Sequence, residues 1–443
     1  MTIYALSSGP GISGVSVIRV SGNQARNIVS KLTNGDFPSP RKATLKKINK
    51  INTNELIDEG IVIWFPAPGS YTGEDMVEFH VHGSISVVQA IQHSLAQIEN
   101  CRLAEPGEFT KIAFQNGKIN LLKAESIADL VSSETEIQRQ QAIKIMSGKN
   151  SEIYNSWRKN LLKILSNIEA KIDFPEDDLP EEILKDIKIN SQKVKEEIKK
   201  ILNDQKVGER IREGFKIAIV GPSNAGKSSL LNYLSRREVA IVSEIAGTTR
   251  DVIETHLNID WFPVIISDTA GIRDSKDEIE KKGIRLALKK AESADLNLVV
   301  IEPKSANFTA FFDDLALDKA ILVINKSDLG IGNILNKVKK FNPIIISLKE
   351  EKNLNHLINL IKDKLKNQFV NSENVLITRE RHRQHLEQCV LHLEKFKEKN
   401  EAKDFDLAAE DIRLATRHLG MIVGKVDVEE ILGSIFNDFS IGK

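Results

Sequence analysis

Residues 221–228 fit the pattern G-x-x-x-x-G-K-[ST], which describes a loop that wraps around phosphate groups. An apolar run at 215–220 precedes this segment and predicts a buried strand, and a helical pattern follows it at 229–235. In that setting the glycines let successive backbone N–H groups point at a phosphate chain, and the helix N-terminus adds its dipole. Lys227 is then expected to reach the outer phosphates, and the Ser228 hydroxyl to ligate Mg²⁺. The segment therefore predicts a nucleoside triphosphate site.

Length and composition limit the remaining possibilities. The chain has 443 residues, more than one hydrophobic core usually supports, so two or three domains are expected. Acidic and basic residues balance at 62 each, so a nucleic-acid contact would have to come from a local patch. Cys101 and Cys389 are too few for a disulfide framework or a cysteine metal cluster, and we interpret both as buried thiols. Without a signal-peptide pattern or an apolar run of about 18 residues, a cytoplasmic protein without a membrane association is predicted.

Four segments with different hydrophobic patterns predict a multidomain chain of mixed α/β and α class. Residues 1–117 combine strand patterns with turn residues, which is typical of a small α+β domain. Residues 118–210 and 373–443 have helical periodicity, whereas residues 211–372 alternate strands with helices around the phosphate loop. Because helical segments flank the α/β block on both sides, we infer that this block is inserted into a helical domain.

Three charged segments could suggest nucleic-acid binding. The runs at 195–200 and 395–403 mix both signs of charge, which favours solvated helix faces. The segment at 379–385 is more basic, and its histidines have no acidic or cysteine neighbours that would complete a metal site. We interpret this segment as a surface helix, with an RNA contact as the alternative.

Two further motifs predict which nucleotide binds. A strand pattern at 265–267 leads into D-T-A-G at 268–271, where the aspartate can hold Mg²⁺ through water and the glycine N–H can contact the third phosphate. Another strand pattern at 320–324 leads into N-K-S-D at 325–328. The Asp328 carboxylate can accept hydrogen bonds from the ring N–H and the exocyclic amine of guanine, whereas adenine presents an acceptor at that place. Guanine is therefore the predicted base.

A fourth element completes a Ras-like GTPase pattern. A strand pattern at 343–346 leads into S-L-K at 347–349, a variant of the S-A-K loop that contacts the base in GTPases. Because four such elements occur in the right order, a merely structural role is a poor explanation for the phosphate loop. The GTP-binding residues that these motifs predict are Asn224, Ala225, Gly226, Lys227, Ser228, Ser229, Gly247, Thr248, Thr249, Asp268, Thr269, Ala270, Gly271, Asn325, Lys326, Asp328 and Ser347.

The catalytic pattern differs from that of Ras-like enzymes. Ile272 stands where they have a glutamine that orients water, and the loop has no obvious arginine finger. Thr249 can complete the Mg²⁺ coordination together with Ser228. The Asn224 side-chain oxygen could hold a monovalent cation that neutralises charge in the transition state. The alternative is that Asn224 only braces the loop.

Many stretches beyond these motifs resemble the MnmE (TrmE) family of tRNA-modification GTPases, along essentially the whole chain. The matching stretches are residues 17–22, 65–66, 71–75, 106–109, 124–130, 172–175, 245–251 and 441–443. Such a spread is far more specific than a phosphate loop alone.

The resemblance implies the roles of domains and residues that patterns cannot show. It implies an N-terminal domain at 1–117 that binds 5-formyl-tetrahydrofolate and forms a homodimer, a helical domain at 118–210 and 373–443, and an inserted Ras-like G domain at 211–372. The family's potassium ligands fall on Asn224, Ser243, Ile245 and Thr248, its water-positioning glutamate on Glu280, and its folate contacts on Arg19, Glu78, Lys118 and Lys443. The resemblance also adds Ser243, Glu244, Ile245 and Ala246 to the expected GTP-binding residues.

The functional hypothesis follows from this resemblance. We expect a potassium-dependent GTPase that works with a flavin-dependent partner of the MnmG (GidA) type, in a hetero-oligomer, on carbon 5 of the wobble uridine of certain tRNAs. The alternative is a regulatory GTP switch, such as a ribosome-assembly factor, without modification chemistry. One departure concerns the C-terminus, where Ser440 replaces the usual cysteine of the family's C-I-G-K; a hydroxyl is a poor nucleophile without an activating base.

Overall fold

The computed structural model describes residues 1–173, 180–222, 224–237, 239–240, 254–268, 291–304, 319–369, 375–401 and 404–426. The chain divides into two compact units. The first comprises Met1–Ala128, Ile145–Val194 and Gln388–Lys443, and the second comprises Asp129–Lys144 and Lys195–Glu387. Within the described ranges, no helix has the length and apolar character needed to cross a membrane.

Strands and helices are numbered in chain order. The strands are β1 (Thr2–Leu6), β2 (Ser13–Ser21), β3 (Thr44–Asn49), β4 (Leu56–Phe65), β5 (Met76–Gly83), β6 (Cys101–Leu103), β7 (Phe215–Val220), β8 (Val239–Ala240), β9 (Glu254–Ile259), β10 (Phe262–Asp268), β11 (Leu296–Ile301), β12 (Ala320–Ile324) and β13 (Ile344–Ile345). The helices are α1 (Ala25–Leu32), α2 (Ile85–Ala96), α3 (Glu108–Gln115), α4 (Leu121–Val131), α5 (Glu136–Met146), α6 (Lys149–Asp173), α7 (Glu181–Leu202), α8 (Val207–Glu213), α9 (Lys227–Arg237), α10 (Ile334–Val338), α11 (Leu354–Phe369), α12 (Glu380–Glu401) and α13 (Phe405–Val423).

A six-stranded sheet forms the N-terminal part of the first unit. Its order is β3-β4-β5-β2-β1-β6, and its neighbours are antiparallel except for the parallel pair β1 and β6. Alternation along β5 buries Val77, Phe79 and Val81 in a core with α1 and α2, and places Glu78 and His80 on the opposite face. Each large side chain that is fully buried in this way contributes about 1.5–3 kcal/mol to stability. The alternation leaves polar groups free to form a site on the other face.

Long helices make up the rest of the first unit, as the helical periodicity predicted. α6 packs along α13 and buries a row formed by Tyr154, Trp157, Leu161, Ile164 and Ile168, at spacings of three and four residues. On α13, buried Asp411 accepts hydrogen bonds from the side chains of His392 (2.9 Å) and Lys399 (2.6 Å) of α12. Burial opposes ionisation of Asp411, but these two bonds outweigh it and lower the pKa of the carboxyl. The buried carboxylate of Asp411 therefore links α13 to α12 through hydrogen bonds.

A seven-stranded sheet forms the centre of the second unit. Its order is β13-β12-β11-β7-β10-β9-β8, parallel from β13 to β10, with β9 and β8 added as antiparallel strands. All six residues of β11 are buried, as expected for a strand that is covered on both faces. In such a sheet, ligands bind beside the carboxyl ends of the parallel strands. The predicted phosphate and base loops follow β7, β12 and β13, and they therefore emerge at that edge.

The basic segment at 379–385 is not the surface helix that the sequence suggested. His382 and Arg383 are buried, at 1% and 5% exposure. The Arg383 guanidinium pairs with Asp204 and with Glu209 of α8, each at 2.7 Å, and it also donates to the carbonyl oxygen of Leu202 at 2.9 Å. The prediction of a surface helix was therefore wrong, because the acidic partners come from a distant part of the chain.

Candidate active site

The phosphate loop between β7 and α9 has a backbone that only certain residues can adopt. Gly221 has φ +142°, and a Cβ there would overlap the backbone carbonyl of Val300 on β11. Gly226 has φ +96°, and a Cβ there would overlap the side-chain amide of Asn325. Asn224 adopts the left-handed conformation, with φ +64°, which asparagine tolerates better than most residues. The loop can therefore approach both the sheet and the base loop closely.

Lys227 lies folded over this loop. Its ammonium donates to the carbonyl oxygens of Gly221 (2.9 Å) and Pro222 (2.8 Å), and the side chain is 8% exposed. Lys227 also begins α9 and therefore lies at the helix N-terminus, with Ser228 and Ser229 exposed beside it. A positive charge and a helix N-terminus together favour a bound phosphate chain.

Asn325 connects the phosphate loop to the loops that follow β12 and β13. Its side-chain amide donates to the carbonyl oxygen of Ala225 at 2.9 Å, and its side-chain oxygen accepts from the backbone N–H of Leu348 at 3.2 Å. Both bonds are made with backbone groups of segments that the sequence predicts to form the site. Asn325 therefore fixes the spacing between the phosphate and base ends of the site.

Asp328 is held as a charged acceptor. Its carboxylate accepts a 2.7 Å hydrogen bond from the Ser347 hydroxyl. That bond is the main cause that lowers the pKa of Asp328, with Lys349 and Lys326 adding in the same direction. The group is therefore ionised at neutral pH, as recognition of two guanine N–H groups requires.

Glu302 lies beside the predicted base loop, and sequence reasoning did not single it out. Its carboxylate lies 2.7 Å from the ammonium of Lys326, which itself has φ +61°. The signal in the sequence was an acidic residue directly after the apolar strand β11. It could have been used only with the knowledge that β11 and β12 are neighbours.

Several predicted residues cannot be placed. Those outside the described part of the chain are Ser243, Glu244, Ile245, Ala246, Gly247, Thr248, Thr249, Thr269, Ala270, Gly271, Glu280, Ser440 and Lys443. Asp268 ends β10, where its backbone lies in register with Ile219 of β7. The structure does bring together the segments 224–228, 325–328 and 347–348.

A second polar cluster occupies the first unit. Arg19 of β2 and Glu78 of β5 are direct cross-strand neighbours, and their side chains pair at 2.8 Å while only 21% and 15% exposed. The rings of Tyr71 and Phe109 lie 5.6 and 5.7 Å from the guanidinium carbon. The other carboxylate oxygen of Glu78 lies 3.2 Å from Nε2 of His80. The sheet and two aromatic rings thus hold a charged pair at a partly buried position.

Lys118 reaches the same loop that contributes Tyr71. Its ammonium donates to the carbonyl oxygen of Pro68 at 2.8 Å, and Asn116 donates to the carbonyl oxygen of Thr72, also at 2.8 Å. Arg19, which lies over the ring of Tyr71, and Lys118 therefore contact the same loop, residues 66–75, although they are far apart in sequence.

Comparison with known proteins decides the family. A model described as the MnmE helical domain matches residues 121–439, and one described as the GTP-binding protein TrmE N-terminus matches residues 2–118. The tRNA modification GTPase MnmE of Pelagibacter ubique is 69% identical over 443 residues, which cover 100% of both chains. The chain belongs to the MnmE family. The MnmE of Rickettsia bellii is 45% identical, again over 100% of both chains.

Two solved structures resemble part of this MnmE-family chain. Era from Aquifex aeolicus, crystallised with GDP and AlF4⁻, is 31% identical over 34% of this chain and 56% of its own, with a TM-score of 0.27. The G domain of the T. maritima FeoB iron transporter is 22% identical over 34% of this chain and 98% of its own, with a TM-score of 0.25. Family membership confirms the predicted fold class and identifies the chain as a GTPase that acts in tRNA modification.

Proposed function

We propose that this GTPase hydrolyses GTP in a potassium-dependent cycle and, with a flavin-dependent partner of the MnmG (GidA) type, modifies carbon 5 of the wobble uridine of certain tRNAs. The group added would be carboxymethylaminomethyl or aminomethyl, with 5-formyl-tetrahydrofolate as the one-carbon source. The observation that carries this proposal is the presence of two separate charged sites in one MnmE-family chain, the phosphate loop and the Arg19–Glu78 pair. A pure GTP switch has no use for the second site.

The nucleotide site offers a defined role to each described residue. Asp328 would read the edge of guanine, and Lys227 would exchange its bonds to loop carbonyls for bonds to phosphate oxygens. The exposed Ser228 hydroxyl in the first turn of α9, with Thr249, would hold Mg²⁺. Mg²⁺ supplies charge neutralisation on the phosphates when it is bound. Glu280 would position the attacking water.

The two sites belong to different units, which separates their tasks. Arg19, Glu78 and Lys118 lie in the first unit, whereas the phosphate and base loops lie in the second. We therefore propose that GTP hydrolysis drives a conformational cycle and takes no direct part in the carbon chemistry. The domain boundaries at 117, 210 and 372, the homodimer formed by the N-terminal domain, and the cytoplasmic location belong to the same proposal.

Thiol chemistry by the described cysteines is not part of this proposal. Cys389 is buried as predicted, whereas Cys101 is only partly buried. Partial burial raises the pKa of the Cys101 thiol to about 11, and full burial raises that of Cys389 as well. Neither group is a thiolate at neutral pH. Together with Ser440 at the family's cysteine position, this favours carbon chemistry that needs no nucleophilic thiol from this chain.

Asn224→Gly should abolish the advantage of potassium over sodium in GTP hydrolysis while GTP affinity stays nearly unchanged. Because Asn224 has φ +64°, glycine removes the amide oxygen without the backbone strain that alanine would add. The measurement is kcat in potassium and in sodium at equal ionic strength. Glu280→Ala is the comparison variant, since it should lower kcat by about 100-fold or more in both salts and preserve their ratio. Retained potassium stimulation in Asn224→Gly would contradict the cation role.

Arg19→Met should weaken binding of 5-formyl-tetrahydrofolate by about 10- to 100-fold, the loss expected for one charge-assisted hydrogen bond. Methionine keeps an apolar stem but removes the guanidinium that lies over the rings of Tyr71 and Phe109. Equilibrium dialysis measures the affinity, and Lys47→Met, an exposed cation on β3 of the same sheet, is the matched control. Unchanged folate affinity in Arg19→Met, with GTP hydrolysis intact in both variants, would contradict the folate assignment.

A further inference from the structure

Glu302 and Lys326 leave the sheet at adjacent positions. β11 and β12 are parallel neighbours with Ile301 beside Ile324, and the backbone N–H of Asn325 donates to the carbonyl oxygen of Ile301 at 2.8 Å. Glu302 is therefore the first residue after β11, and Lys326 is the second residue after β12. Their carboxylate and ammonium meet at 2.7 Å, with the side chains 26% and 32% exposed. The spacing of the two side chains is thus set by strand pairing and not by chance contact of long surface chains.

Each polar residue of the N-K-S-D segment that faces the predicted base has its own anchor. The Asn325 amide is held by Ala225 and Leu348, and the Asp328 carboxylate is held by Ser347. All three of those anchors belong to segments that the sequence had already predicted. Glu302 is the corresponding anchor for Lys326, and it belongs to none of them.

A fixed lysine has a physical consequence for base binding. The edge of guanine is read by a carboxylate, whereas the flat face of a purine needs an apolar cover, which the methylene stem of a lysine supplies when its ammonium is directed elsewhere. A lysine side chain loses much rotamer freedom when it is ordered. A partner that holds the ammonium before the nucleotide arrives removes that cost from the binding step.

We propose that Glu302 is a positioning residue of the guanine site, which acts through Lys326 by holding its stem in place to cover one face of the base. This inference rests on the proposed base site. Glu302 then contributes to the affinity for the nucleotide and not to the selectivity for guanine, because the lysine stem covers any purine while Asp328 alone distinguishes guanine. It also places the effect in binding and not in the chemical step.

A double-mutant cycle tests the inference. Glu302→Gln should weaken GDP binding by roughly three- to fivefold, the range of a partly exposed ion pair. It should raise the KM for GTP to a similar extent, leave kcat unchanged, and leave the ratio of GTP to ITP affinity unchanged. Lys326→Met keeps the stem and removes the charge, so Glu302→Gln should add no more than about twofold in the Lys326→Met background. Glu292→Gln, an exposed acid in the same unit, is the control for a change of net charge and should leave GDP affinity unchanged.

Three results would overturn the inference. These are an unchanged GDP affinity in Glu302→Gln, an equal loss in both backgrounds, and a loss confined to kcat. If Lys326→Met and Asp328→Asn alter nucleotide binding while Glu302→Gln does not, Glu302 has no positioning role and the base site stands. If neither Lys326→Met nor Asp328→Asn alters nucleotide binding, the base site itself is wrong.

Discussion

Asp328→Asn should change the base preference of this GTPase from guanine to xanthine. The carboxylate is placed by its 2.7 Å bond from Ser347, and its lowered pKa keeps it ionised at neutral pH. Asparagine keeps one oxygen for the ring N–H but turns an amide N–H towards the exocyclic amine of guanine, so two donors face each other. Xanthine carries a carbonyl at that place and restores the pairing. We expect the affinity for GTP to fall by about 100-fold or more and the affinity for xanthosine triphosphate to rise.

Competition against a fluorescent GDP analogue measures both nucleotides on one protein sample. Ser347→Ala is the matched control, because it removes the hydroxyl that orients Asp328 but leaves the carboxylate in place. It should weaken both nucleotides without exchanging their order. Equal affinity of Asp328→Asn for GTP and xanthosine triphosphate, with GTP as tight as in the parent protein, would remove the guanine assignment.

Gly221→Ala should remove nucleotide binding and destabilise the second unit. The residue has φ +142°, a region essentially restricted to glycine, and the added Cβ would overlap the carbonyl of Val300. That carbonyl belongs to β11, which pairs with β7 through Val299 and Val220, so it cannot move without disturbing the central sheet. We expect a loss of at least about 3 kcal/mol in the free energy of unfolding and no measurable GDP binding.

Gly332→Ala distinguishes the cost of backbone strain from the cost of steric overlap by the added Cβ. Gly332 has φ +54°, and an added Cβ there meets no atom within 4 Å, so only the conformational cost of about 1 kcal/mol applies. Hydrogen exchange of β7 and β11 amides reports the stability of the second unit, and titration with GDP reports binding. Tight GDP binding by Gly221→Ala would show that the loop does not need the conformation described here.

Local motifs predicted the parts of the site that are built from contiguous residues. The backbone of the phosphate loop and the aspartate of the base loop depend on nearest neighbours in sequence, so local patterns were sufficient to predict Lys227 and Asp328 as site residues.

Contacts between distant segments could not be predicted in this way. The basic neighbours of Arg383 in sequence predict an exposed side chain. Its acidic partner Glu209 lies 174 residues away, so local sequence could not reveal the pairing. The pairing of Glu302 with Lys326 could be recognised only when β11 and β12 were known to be neighbours in the sheet. The cross-strand register of β2 and β5, which brings Arg19 beside Glu78, is equally a property of the folded sheet.

The central claim is that this chain supports modification of the wobble uridine, and mass spectrometry of tRNA nucleosides tests it most directly. Cells that lack the chain are compared with the same cells supplied with the parent protein or with Arg19→Met. The account predicts that 5-substituted wobble uridines disappear without the chain, return with the parent protein and stay diminished with Arg19→Met. Unchanged wobble nucleosides in cells without the chain would contradict it and favour a regulatory GTP switch.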